Sequence, residues 1–179
     1  MKSMKHSLPR LFTALAILLT PFMSPAPAFM KLGDIKGEST EAGHEEEIDI
    51  HEVLWGVIRN RGSNAPTLNE LKFSKPVDKS SPKLMEACAN GQHIAQAVLT
   101  LRKPGRGSDY YKVTLEDVLI VSYQTSSSSS DVVPHEELSL NYTKITFEFI
   151  PQDDTGAPTG PSVIGRWPAE PATIPGTGE

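Results

Sequence analysis

The sequence predicts a mainly β protein: a small antiparallel β-barrel with one α-helix on its flank. Three observations carry this. Strand-like alternation of apolar and polar residues fills most of the chain from residue 29 to residue 150. A single segment, beginning at Ser81, carries both start and stop signals for a helix. Two long strand segments each change phase near their middle, which is how a sheet curls toward closure.

The N-terminus comes first and stands apart. "MKSMKHSLPR" carries Lys2, Lys5 and Arg10, and Leu11–Leu19 is an apolar run broken only by a threonine. Ala26 and Ala28 then form an A-x-A site. Basic start, short apolar core and small residues read as a secretory signal peptide over residues 1–28. The apolar run is too short to anchor in a bilayer, so no stable membrane insertion is expected. The alternative is a start codon placed too far upstream, with Met23 or Met30 as the true start. Removal at Ala28 takes three Lys/Arg and no acid, leaving a chain more acidic than the full-length net charge of −5. A chain this acidic is a poor candidate for a general nucleic-acid binder, which normally presents a basic face. One cysteine excludes an intramolecular disulfide and an all-cysteine zinc site.

From residue 29 the elements follow in order. Phe29–Ile35 is a short strand, and His44–Ile58 alternates acidic with apolar residues before becoming more apolar. Arg59–Glu70 has the Gly, Asn and Pro of a loop. "LKFSKPV" resumes a strand that Pro76 ends or places at an edge. In "SPKLMEACANGQHIAQAV", Ser81 is the expected N-cap and Pro82 the first helical residue. Leu84, Ala87 and Cys88 share one helix face, and Gly91 is the expected stop. Three long strands come next, His93–Lys103, Asp109–Gln124 and Glu136–Ile150. In the second, Tyr111, Val113 and Leu115 keep one phase and Val118 and Ile120 the other, with the slip at Glu116–Asp117. In the third, Leu138, Leu140 and Tyr142 give way to Ile145, Phe147 and Phe149. "KPGRGS" reads as a hairpin loop and Ser126–Ser130 as an exposed one. Residues 151–179 form a Pro/Gly-rich tail that cannot build its own core, with "SVIGRW" able to add an edge strand.

Candidate chemistry is thin. Cys88 with His93 five residues on suggests nucleophilic catalysis, which needs a thiolate beside an oriented imidazole. Cys88, however, lies on the apolar helix face and is read as packing, and His93 as a helix-end residue. His44, Asp49 and His51 could ligate a metal, but the segment also reads as an ordinary acidic strand face. "GDIKGES" lacks the spacing of a phosphate loop. "NYT" at Asn141 fits a glycosylation sequon, but in mid-strand it is incidental.

"FMKLGDIKGES", "FSKPVDKSSPKLMEACANGQHIAQAVLTLRK", "YYKVTLEDVLIVSY", "EELSLNYTKITFEF" and "PQDDTGAP" together resemble the hemolysin-coregulated protein (Hcp) family, the tube subunit of bacterial type VI secretion. The resemblance runs from about Phe29 to Trp167. It implies an Hcp-like β-barrel domain over residues 29–150 and a hexameric ring whose copies stack into a hollow tube. It further implies a contractile sheath, a tip protein and small effectors in the lumen as partners, with no catalysis and no cofactor. The tail after Pro151 is too short for a toxin domain. Arg59, Asn60, Arg61 and Asn64, in the family's long inter-strand loop, are the candidates for ring stacking. Ala95 and Ala97, small residues on the strand after the helix, are the candidates for the lumen wall. The order "GDI" departs from the family's more usual "DGI". A subunit assembled in the cytoplasm and then secreted needs no signal peptide; a genuine one points to periplasmic export, and to a binding module on the same fold that builds no tube.

Overall fold

The computed structural model describes residues 26–168 apart from Asn60, 63–65, 106–107 and 130–131. The proposed signal peptide lies outside the described residues except at its last three positions. The chain runs β1 (Ala28–Leu32), β2 (Ile48–Ile50), β3 (Glu52–Leu54), β4 (Val57–Ile58), β5 (Thr67–Leu68), β6 (Leu71–Pro76), α1 (Ser81–Asn90), β7 (His93–Arg102), β8 (Asp109–Ser126), β9 (His135–Asn141), β10 (Lys144–Phe149) and β11 (Val163–Trp167). All pairings are antiparallel.

The main sheet has the order β2-β1-β7-β8-β9-β6-β3, with β10 on the other side of β8 from β7 and β11 beyond β10. The expected barrel does not close as a continuous ladder. Its two edges, β2 and β3, are consecutive in the chain and separated only by His51. β2 pairs with β1, and β3 pairs with β6. The chain bends at His51, whose N–H donates to the Ser74 carbonyl at 2.9 Å. The seam is therefore spanned by a covalent bend and not by a strand-to-strand ladder.

The phase slips explain the curl. In β8, Val113 and Leu115 are buried on one side of Asp117, and Val118 and Ile120 on the other. Asp117 itself takes φ +52°, an uncommon left-handed conformation for a non-glycine residue. Before it, β8 pairs with β10; after it, with β9. The long third strand is split into β9 and β10 at Tyr142–Thr143. Asn141 thus ends a strand at a corner and is not in mid-strand, and its Oδ1 accepts the Tyr142 N–H.

The core is one cluster built from β1, β2, β6–β10 and the helix, with Met30, Leu71, Leu84, Leu99, Val113 and Leu140 among its fully buried members. The helix differs from expectation by one residue at its start. Ser80, with its side chain making no cap hydrogen bond, occupies the N-cap position, and Ser81 is the first helical residue. Ser81 Oγ instead accepts the Asp78 N–H at 3.0 Å. The stop is as expected: Gly91 takes φ 61°, and Gln92 and Gly91 donate to the Ala87 and Cys88 carbonyls. The sheet continues past residue 150, because "VIGRW" pairs along β10 as β11.

Candidate assembly site

The Cys88–His93 stretch holds no catalytic pair. Cys88 is half-buried against the core, below Leu84 and Ala87 on the same face. His93 is the first residue of β7 and not a helix cap. Its exposed ring meets Asp117 Oδ1 through Nδ1 at 2.7 Å, across the β7–β8 pair where β8 bends.

Beside the packing of Leu84 and Ala87, a buried ionic group that sequence reasoning missed joins the start of the helix to the sheet. The Lys75 side chain is fully enclosed. Its Nζ reaches Glu136 Oε2 at 2.8 Å, Asp78 Oδ1 at 2.8 Å, the Pro76 carbonyl at 2.8 Å and Ser81 Oγ at 3.2 Å. Tyr123 donates to the other Glu136 oxygen at 2.5 Å. Burial raises the Tyr123 phenol, and the Glu136 hydrogen bond raises it further. One cation thus joins β6, β9 and the first residue of the helix, and Tyr123 adds β8. The signal was present: Leu71, Phe73 and Lys75 share a phase, so alternation places the lysine inward.

The candidate metal trio is dispersed. His44 stacks on Phe29 with ring centroids 4.3 Å apart. Its two nitrogens face Glu47 Oε2 at 2.8 Å and Asp109 Oδ1 at 3.0 Å. Arg102 joins the group, donating to Asp109 and to Glu41. Burial pushes the Asp109 carboxyl up, but hydrogen bonds from His44 and Arg102 outweigh it and hold it below its usual range. The cluster latches the β1–β2 connection onto the β7–β8 hairpin. Asp49 is exposed on β2, and His51 lies at the seam. Among the described residues no group of three or more His, Cys, Asp or Glu side chains is arranged to hold a metal ion. "GDIKGES" proves structural: a Cβ on Gly37 falls 2.3 Å from the Glu47 carbonyl oxygen, so only glycine fits the close approach of the two chain segments.

Two apolar surface features lie at the periphery. β4 and β5 pair as a separate two-stranded arm, with Val57 63% and Ile58 50% exposed and Leu54 69% exposed beside it. Tyr142 anchors the arm's base by donating to the Asn69 carbonyl at 2.9 Å. Among the described residues β11 pairs only with β10, and Val163 and Ile164 on it are 65% and 51% exposed. Of the stacking candidates, Arg59 and Arg61 are exposed at the arm, while Asn60 and Asn64 lie outside the described residues. Of the wall candidates, Ala95 is exposed but Ala97 is fully buried in the core. The strand's buried positions run Ile94, Ala97, Leu99, so the phase slips between Ala95 and Ala97 and turns the second alanine inward.

A protein-family model described as a type VI secretion system effector, Hcp, matches residues 29–149. The chain belongs to the Hcp family. It is 36% identical over 151 residues to protein hcp1 of Pseudomonas aeruginosa, covering 78% of this chain and 92% of that one. Its fold matches a type VI secretion system effector from Yersinia pestis with TM-score 0.67 at 27% identity, over 78% of this chain and 98% of that one. It also matches Hcp1 from Salmonella typhimurium with TM-score 0.68 at 26% identity, over 79% and 93% of the two chains. Hcp proteins are structural subunits of the type VI secretion tube, not enzymes, and the family builds hexameric rings. This Hcp chain is accordingly a tube subunit.

Proposed function

We propose that this subunit closes into a ring of six, that rings stack into a hollow tube exported with small effectors inside, and that a sheath and a tip protein engage the tube. The observation that carries the assembly reading is the pair of unlike apolar edges. The arm offers Val57 and Ile58, with Leu54 of β3 beside it; the last strand offers Val163, Ile164 and Trp167. A ring or stack of identical copies needs heterologous contacts, each joining two different patches. Exposed apolar groups gathered on two peripheral elements are suited to such contacts. The arm, with Arg59 and Arg61, is assigned to stacking; β11 to contacts within the ring. Ala95 stays as a wall candidate and Ala97 does not.

Light scattering on the purified chain tests this. Six copies of 19.5 kDa give a species of about 117 kDa. Val57→Asp with Ile58→Asp leaves that species intact and abolishes longer tubes in electron micrographs. Val163→Asp with Ile164→Asp reduces it to monomer. A monomeric wild type, or both variants assembling normally, overturns the reading. Secretion is expected to stop when the contractile machinery is deleted. Sequencing the native N-terminus tests the signal peptide separately: Phe29 supports cleavage, and a start at Met23 or Met30 supports an unprocessed subunit.

A further inference from the structure

The fold separates His51 from the two residues it was grouped with, and brings it instead against His135. The two ring centroids are 5.5 Å apart and the rings are tilted by 57°. Neither ring forms a hydrogen bond or ion pair among the described residues, unlike His44 and His93. Two imidazoles bound to one tetrahedral ion, each through a nitrogen at about 2.0–2.1 Å, hold their centroids roughly 5 Å apart. We propose that His51 and His135 chelate one divalent transition-metal ion of the imidazole-preferring class (zinc, nickel or copper), with water in the remaining positions.

The location gives the site a role. His51 is the bend between β2 and β3, the place where the sheet's ladder is open. His135 is the first residue of β9, and it pairs with Pro76 on one side and Ser126 on the other. Pro76 has no N–H to give that pairing. An ion held by both histidines ties the bend to the strand ends beside it, at the seam where the ladder is open and the backbone supplies the His51 N–H bond to Ser74. Imidazole selects zinc, nickel and copper over magnesium and calcium, whose preferred ligands are oxygens.

The test uses the full chain without an affinity tag. Nickel or zinc in excess raises the thermal unfolding midpoint, since an ion that binds only the folded state stabilises it by mass action. A chelator reverses the rise, and magnesium produces none. His51→Gln and His135→Gln each abolish the rise, whereas His93→Gln keeps it. Should a glutamine variant fail to fold, NMR of the wild type decides: substoichiometric copper broadens the ring signals of His51 and His135 before those of the other histidines. No rise in the wild type at millimolar nickel, an equal rise in the two glutamine variants, or broadening led by other histidines overturns the proposal.

Discussion

Lys75→Met is the sharpest perturbation of the scaffold. The native ammonium has three protons and four acceptors within 3.2 Å, two of them carboxylate oxygens at 2.8 Å. At an effective dielectric near 20, each carboxylate contact is worth about 6 kcal/mol before desolvation. Desolvation of three buried ions, at several kcal/mol each, offsets most of this, so the intact group contributes little net stability. Removing only the cation is different. Glu136 and Asp78, whose side chains are 1% and 8% exposed, remain buried without their counter-ion. A broken buried pair of this kind costs about 3–5 kcal/mol. Urea unfolding followed by circular dichroism is expected to show a lower midpoint with an unchanged slope. Adding Glu136→Leu to Lys75→Met is expected to recover part of the loss, because the second change removes the stranded charge. A Lys75→Met protein within about 1 kcal/mol of wild type refutes the reasoning, as does a double variant no better than the single one.

Three further outcomes follow from the packing. Gly37→Ala forces the Glu47 backbone aside and is expected to cost more than about 2 kcal/mol, whereas Gly165→Ala, with nothing within 4 Å of the added carbon, stays within about 0.5 kcal/mol, both by chemical denaturation. A chain beginning at Phe29 loses the Ala28 pairs with Ile50 and Leu101 and the Pro27 carbonyl that accepts the Arg102 N–H, and it sets a new ammonium beside buried Phe29. Its thermal midpoint is expected several degrees below that of a chain beginning at Ala26. The Asp109 carboxyl is depressed in the folded state, so its contribution is present above the unfolded carboxylate value and lost as pH falls through the folded one. Asp109→Asn is therefore expected to be less stable than wild type at neutral pH and to show a shallower acid loss below about pH 4, read from midpoints across a pH series.

Most strand and helix positions were legible because periodicity reports burial directly. The slip at Glu116–Asp117 is the clearest case: the apolar phase changed, and there the strand changes partner. Ala97 shows the limit. Small residues carry too weak a hydrophobic signal to reveal the slip in β7, so the sequence pattern does not distinguish exposed Ala95 from buried Ala97. The seam was hidden for another reason. Ile48, Ile50, His51 and Val53 read as one strand, and only tertiary pairing of the two halves to different partners, β1 and β6, splits it. Lys75 lies in the apolar phase, but a lone lysine is rarely enclosed, and the carboxylates that hold it there, Asp78 and Glu136, are 3 and 61 positions away.

The 18-residue β8 has a mechanical consequence. It runs from beside β10 to beside β9, so both parts of the sheet hang on one covalent spine. A push along that spine is borne by peptide bonds and by ladders loaded in shear, with many hydrogen bonds resisting together. At the β2–β3 bend, by contrast, the sheet is held by the chain itself, the His51 N–H bond to Ser74 and the short three-residue strands on either side. A subunit built this way is expected to be stiff along its spine and more compliant at its seam, where the chain's own bend replaces a strand-to-strand ladder.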